Sequence, residues 1–283
     1  MKKRIFAILL SALLMASATA CNYAPDNIPE NETESAVEST VKSTMDHTET
    51  TIELASFETY ESTVSTYRRI VEVCSKYEEV TNGEYFTFAD ETAYNLYTKI
   101  FNSTLLLYPT DVNGINGDCY ERFGYTVKDL NNDGVDELIL RLDNHEVIAI
   151  FTMVDDTPVL LDCYWNRKNC WIDPDGYLHI GGSSGADRSI LQIYRIADKT
   201  GELILLEEGG TDGHDEASGN TLYYKLVNNE KTYITQAKYH EWMQSLPYAK
   251  IAVTTNISEY LPFVPLFDEN HPAPEPCAPQ TKG

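Results

Sequence analysis

The chain has 283 residues, and 44 aspartates and glutamates against 21 lysines and arginines give it a net charge of −23. A surface of that sign repels nucleic acid and anionic lipid faces, which excludes both as partners, while it keeps a protein dispersed and draws cations. Hydrophobic residues make up 42%, enough to bury a core of domain size.

The first twenty residues read as an export signal: Lys2, Lys3 and Arg4, an apolar run from Ile5 to Ala16, then small residues before Cys21. The apolar run is shorter than the roughly 18–20 residues that span a bilayer. Ala18-Thr19-Ala20-Cys21 suits lipoprotein processing with a lipid on Cys21, and Ala-x-Ala also suits plain secretion. The expected address is the outer face of a bacterial cell membrane, or the medium. Loss of residues 1–20 removes three positive charges and no negative one, leaving 18 basic against 44 acidic side chains and a net charge of −26. Residues 21–56 are rich in Ser, Thr and Glu without periodicity, which describes a tether.

A single domain is expected over residues 57–250. Tyr60, Val64, Tyr67, Ile70, Val71, Cys74 and Tyr77 recur at helical spacing, and Asn82-Gly83 ends that helix. Asp90 caps a second helix to Leu107, with Ala93, Tyr94, Tyr97, Ile100 and Phe101 on its buried stripe. From about residue 120 the period changes to alternation. Strands are expected at 147–153, 159–164, 170–172, 177–180, 190–196, 203–207 and 222–227, with turns at Asp155-Asp156, Asp173–Gly176, Lys199–Gly201 and Asn228-Asn229. A last helix covers 235–246, and residues 251–283 form a Pro-rich tail. The fold class is therefore α+β, with N-terminal helices on an antiparallel meander of roughly eight to ten strands and one C-terminal helix.

Asp129-Leu130-Asn131-Asn132-Asp133-Gly134-Val135-Asp136-Glu137 carries the chemistry. Side-chain oxygens fall at positions one, three, five and nine, the Val135 carbonyl stands at seven, and Gly134 permits the reversal at six. Such a set suits a hard cation, Ca2+, with an affinity of about 0.1–1 mM. An EF-hand requires a glutamate at position twelve, where this chain has Leu140, and its helices are replaced here by strand-like flanks. A polar hairpin turn that binds nothing is the competing reading. The loop resembles those of integrin-type and FG-GAP repeats, which implies Asp129, Asn131, Asp133 and Glu137 as side-chain ligands, Val135 as a backbone ligand and Asp136 as an outer carboxylate. It occurs once, without the copies a propeller needs. The layout of residues 57–246, with Tyr125–Leu140, Ile150-Phe151, Asp175-Gly176-Tyr177 and Gly181–Ala186, also resembles uncharacterised secreted lipoproteins of Gram-positive gut bacteria, a resemblance that implies location and loop but no activity.

Other candidates are weaker. Gly181–Ala186 lacks the Lys of a phosphate loop and reads as a bend in the sheet. Thr211–Glu216 gathers three carboxylates and His214, as a second metal site, an acid–base group or a solvated loop. Neither His-Glu-x-x-His nor Gly-x-Ser-x-Gly occurs. Cys163 and Cys170 could face each other across a hairpin, Cys74 could meet Cys119, or all remain reduced thiols. These residues leave an extracellular binding module of unknown ligand as the first expectation. A hydrolase of glycans or peptides is the second, signalled by Trp165, Trp171 or Trp242 lining a pocket beside two carboxylates.

Overall fold

The computed structural model describes residues 53–74, 86–107, 117–143, 146–183, 185–246 and 259–273. All lie within one compact unit, Glu49–Gly283; the other unit, Met1–Thr48, falls outside them. Outside them too are the signal segment, Cys21, the tether as far as residue 52, the Asn82-Gly83 stop, the loop at 108–116 and the end of the tail. Among the described residues no helix is long and apolar enough to cross a membrane.

Strand β1 (Glu53–Ala55) leads into helix α1 (Tyr60–Cys74), which is followed by β2 (Phe86–Phe88) and α2 (Glu91–Leu107). Helix α1 starts where Thr59 and Ser62 exchange backbone-to-hydroxyl bonds of 3.0 Å, which satisfies donors left over in the first turn. Asp90 caps α2 by accepting from the Ala93 N–H at 2.9 Å. Tyr97 and Ile100 are buried as expected, whereas Tyr94 is 46% exposed and rests edge-on against Phe88. Outside the antiparallel meander, β1 and β2, which are not among the expected strands, pair in parallel, with α1 lying between them in the chain.

The meander comprises β3 (Phe123–Lys128), β4 (Glu137–Leu142), β5 (Glu146–Val154), β6 (Thr157–Cys163), β7 (Lys168–Ile172), β8 (Leu178–Ser183), β9 (Arg188–Ile196), β10 (Leu203–His214), β11 (Thr221–Val227) and β12 (Glu230–Ile234). Helix α3 (Gln236–Ser245) and β13 (Val264–Pro265) complete it. It divides into two antiparallel sheets, ordered β13-β3-β4-β5-β6 and β12-β11-β10-β9-β8-β7. Asp155-Asp156 and Asn228-Asn229 all adopt positive φ, between 48° and 64°, the geometry of tight hairpins that Asx residues tolerate.

Helices α1 and α2 cover one face of the five-stranded sheet, where Tyr67, Ile70 and Ile100 meet Leu138, Leu140 and Phe151. The opposite face packs Ile139 and Ile150 against Leu178, Ile180 and Ile196 of the six-stranded sheet. Every residue of β4 is buried, the apolar Leu138, Ile139, Leu140 and Leu142 together with the charged Glu137 and Arg141. Helix α3 covers the outer face of the larger sheet through Trp242 and Leu246 on Leu191 and Ile193.

Strand β10 runs to His214 rather than stopping near Glu207. The Gly209-Gly210 pair looks like a strand end, but both glycines admit neighbours. A Cβ at Gly209 would lie 2.4 Å from the Trp242 ring, and one at Gly210 would lie 2.0 Å from the Ser189 carbonyl oxygen. Gly209→Ala is expected to displace the Trp242 indole and cost about 1–3 kcal/mol, read as a lower unfolding midpoint with an altered near-UV signal. An unchanged signal and midpoint would refute the seating.

The segment after residue 250, expected as a tail, contributes residues 259–267 to the packed unit. Leu261 and Leu266 are buried, and Val264–Pro265 form an edge strand on β3, a position where the missing proline N–H is tolerated.

Candidate functional site

The Asp129–Asp136 loop joins β3 to β4 and turns around its own carboxylates. Asn132 and Gly134 take φ of 61° and 84°, and the reversal at Gly134 is one that a side chain resists. Asp129 Oδ1 accepts from the Asp133 N–H at 3.2 Å and Oδ2 from the Gly134 N–H at 2.9 Å. Asn131 Oδ1 also accepts from the Asp133 N–H, at 3.2 Å. Asp133 Oδ1 accepts from the Val135 N–H at 2.8 Å, while Oδ2 accepts from the Asn131 amide at 3.0 Å and from the Lys199 N–H at 2.9 Å. Partial burial works against charge on Asp133, yet the bonds from Val135, Asn131 and Lys199 hold its carboxyl below the usual range.

Glu137 lies under this arc with no exposed surface. Its Oε2 accepts from the Leu130 N–H at 2.8 Å and its Oε1 from the Thr152 hydroxyl at 2.9 Å. Burial pushes its carboxyl up to about 7 against those two bonds, and the negative charges of Asp133 and Asp129 add to the rise. The loop is anchored on three sides. Leu130 is buried in the inter-sheet core, its carbonyl sits where a Cβ on Gly176 would be 1.8 Å away, and the Tyr60 hydroxyl donates to the Asp136 carbonyl at 2.8 Å.

Asp129, Asn131 and Asp133 are thus brought together in one bonded arc, Val135 closes it through its N–H, and Glu137 is turned toward the Leu130 backbone and Thr152. Among the described residues no group of three or more His, Cys, Asp or Glu stands gathered around a metal position. The donors are nonetheless all oxygens, and a carboxylate oxygen that accepts one N–H keeps a further lone pair, which is the chemistry a calcium ion uses.

The other candidates resolve into structural roles. Asp212 is not in a loop but on β10, where it accepts from Lys231 Nζ and the Tyr233 hydroxyl, both at 3.0 Å. His214 Nε2 lies 3.9 Å from Asp187, a contact open to solvent. Gly181 and Gly182 belong to β8: a Cβ on the first would lie 2.9 Å from the Trp171 ring, and one on the second 2.8 Å from the Arg167 carbonyl oxygen. These glycines make room for protein and do not cradle a phosphate. Cys74, Cys163 and Cys170 are reduced and buried. Cys163 packs in the helix-side core and Cys170 in the inter-sheet core, and the hairpin disulfide is not formed. Burial pushes the Cys163 thiol up to about 12, which keeps it unreactive. The side chain of Cys119 lies outside the described residues.

Trp242 is buried under α3, whereas Trp165 and Trp171 line a shallow groove of about 80 Å³ with Leu107, Glu146, Val147 and Asn169. The spacing of Asn169 and Trp171 on one strand was a sequence signal for a shared face, but nothing in the sequence placed Glu146 beside them.

No family model and no curated protein matches the chain. A solved structure of a Xanthomonas type IV secretion system related protein aligns with 40% of this chain and 58% of its own length, at 12% identity and a TM-score of 0.20.

Proposed function

We propose that the protein is an extracellular binding module, tethered to the outer face of the cell membrane through a lipid on Cys21, in which the Asp129–Glu137 loop takes calcium as a structural ion. The observation that carries the ion is the concentration of charge in a folded turn: Asp129 and Asp133 share one bonded arc, and their negative charges bear on Glu137 buried beneath them. A hard cation relieves that repulsion in the folded state, and the unfolded chain has no preformed site to compete. Asp129, Asn131, Asp133, Glu137 and the Val135 carbonyl would hold it. The address rests on the basic start, the apolar run and the small residues before Cys21.

The competing reading is a hydrolase of glycans or peptides. Glycoside hydrolysis takes a pair of carboxylates flanking the bond, and Glu146 is the single carboxylate among the described residues that line the groove.

Thermal unfolding of the mature chain in chelator and in about 10 mM calcium tests the ion. With an affinity of about 0.1–1 mM, binding contributes about 1.4–2.7 kcal/mol, and Asp133→Ala is expected to remove the resulting rise in midpoint. Absence of both a shift and a calorimetric heat would leave a turn closed by its own N–H groups. A Cys21→Ala variant expressed in a bacterial host is expected in the medium instead of the membrane fraction.

A further inference from the structure

We propose that β12 pairs edge to edge with the β12 of a second copy of this chain, joining their six-stranded sheets across a two-fold axis at Thr232. The pairing goes beyond the module and its ion, and requires neither. Strand β12 is the last of its sheet. Asn228 and Asn229 take φ of 53° and 64°, which makes the β11–β12 connection a two-residue type I′ hairpin. Val227 and Glu230 beside the turn are therefore a hydrogen-bonded pair, and the ladder alternates from there. Thr232 with Lys225 and Ile234 with Tyr223 are bonded pairs too, while Lys231 and Tyr233 stand at the non-bonded positions. Their backbone N–H and C=O groups point away from β11, and none of them has a partner among the described residues. Glu230, Lys231, Thr232 and Tyr233 are all exposed, Tyr233 by 56%.

An edge of this kind is normally blunted by a proline, a bulge or a lysine. Strand β12 contains no proline, and its register with β11 is unbroken. Its lysine is folded back. Lys231 Nζ binds Asp212 at 3.0 Å and lies 4.4 Å from the centre of the Tyr224 ring, and the Tyr233 hydroxyl donates to the same carboxylate at 3.0 Å. The charge that would repel a second edge is thus neutralised over its own sheet. The strand's own sequence then selects the partner. Antiparallel pairing about Thr232 sets Glu230 against Ile234 and Lys231 against Tyr233, with no like charges opposed. Each outward N–H of one copy meets an outward C=O of the other. A shift of two residues toward the turn would oppose Lys231 to Lys231, and one toward α3 would leave only three residues of each strand paired. The net charge of −23 on each chain opposes approach, but that repulsion is screened beyond about 8 Å at physiological salt. Association is therefore expected to strengthen as salt rises.

The test traps the register. In this pairing Thr232 faces its own counterpart at a non-bonded position, where Cα atoms lie about 4.5 Å apart, within the roughly 4.4–6.8 Å that a disulfide spans. Glu230 lies more than about 13 Å from its counterpart. In the Cys21→Ala chain, Thr232→Cys is expected to give a disulfide-linked dimer under mild oxidation, with a yield that rises with salt. Glu230→Cys is expected to stay at the level of the unsubstituted chain. Adding Tyr233→Pro to Thr232→Cys should abolish the dimer, because it removes an outward N–H and keeps the ladder to β11; the unfolding midpoint reports that the fold survives. Asp212→Ala returns the Lys231 charge to the edge without altering the backbone, and should lower the yield several-fold. No dimer from Thr232→Cys, or an equal yield from Glu230→Cys, overturns the proposal. So does a yield unmoved by both Tyr233→Pro and Asp212→Ala. The calcium-dependent midpoint is expected to stay as it is in all of these variants, so failure of the ion and failure of the pairing are read separately.

Discussion

Glu137→Gln is expected to stabilise the calcium-free protein at pH 8 while changing little at pH 4. The wild-type carboxyl titrates near 7 in the folded state because it is buried beside Asp133 and Asp129, and near its ordinary 4.3 in the unfolded chain. Between those values the folded state binds the extra proton, so stability falls as pH rises. The contribution is fully present below about 4.3 and is lost as pH passes 7, a change on the order of 3 kcal/mol across the window. Glutamine carries no charge at either end, and its amide can serve both the Leu130 N–H and the Thr152 hydroxyl. The difference between the two proteins in denaturant midpoint, measured from pH 4 to 8, isolates this group from the surface carboxylates, which titrate in both. A flat difference would place Glu137 outside the loop's electrostatics. Calcium is expected to shrink the slope, since a cation beside a carboxylate favours its charged form, and Glu137→Gln should weaken the calcium-dependent rise in midpoint. The same substitution thus acts in opposite directions with and without the ion.

That behaviour was not legible in the sequence, where a glutamate at position nine reads alike whether it faces an ion or a threonine hydroxyl. What could be read was local. Asp90 before a periodic run predicts a capped helix, Asn228-Asn229 predicts a tight hairpin, and the oxygen-rich spacing around Gly134 predicts a turn between strands. Each depends on neighbours a few residues away, and the structure has all three. The division of the meander into two sheets depends on which faces of β4 and β8 bury against which, and β4 is buried on both, with Leu138 and Leu140 toward the helices and Ile139 toward the other sheet. Strands β1 and β2 are three residues each, too short to show a period, and they pair across the whole length of α1. The extent of β10 turned on what sits over Gly209, and the partner is Trp242, 33 positions further on. Glycine in a strand marks close approach as readily as termination, and the sequence does not say which.

The C-terminal segment raises the same problem on a larger scale, and it leads to the second large effect. Arg141→Ala is expected to cost about 2–5 kcal/mol and to release residues 259–267. Arg141 is 1% exposed. Its Nη1 donates to the Thr126 hydroxyl and to the Leu261 carbonyl, both at 3.0 Å, and its guanidinium carbon lies 5.5 Å from the centre of the Phe263 ring. Burial lowers its pKa to about 10, which still leaves it charged at neutral pH. The same segment receives bonds of 2.7 Å from Thr126 to the Pro262 carbonyl and from Lys128 to the Tyr260 carbonyl, and Arg68 reaches the Leu266 carbonyl at 2.8 Å. Phe263 itself rests on bare backbone, because a Cβ at Gly124 would lie 2.3 Å from its ring. Alanine at 141 removes the donor from two buried acceptors and opens a cavity, the combination that makes single substitutions severe. Arg141→Met keeps most of the volume without burying a charge and should cost less. Limited proteolysis below the unfolding midpoint distinguishes a released strap from a uniformly weaker fold. Early cleavage after residue 258 in Arg141→Ala, and in Gly124→Ala, is the expected result. Cleavage that begins only with global unfolding would show that the segment rides on the sheet without being held by these residues.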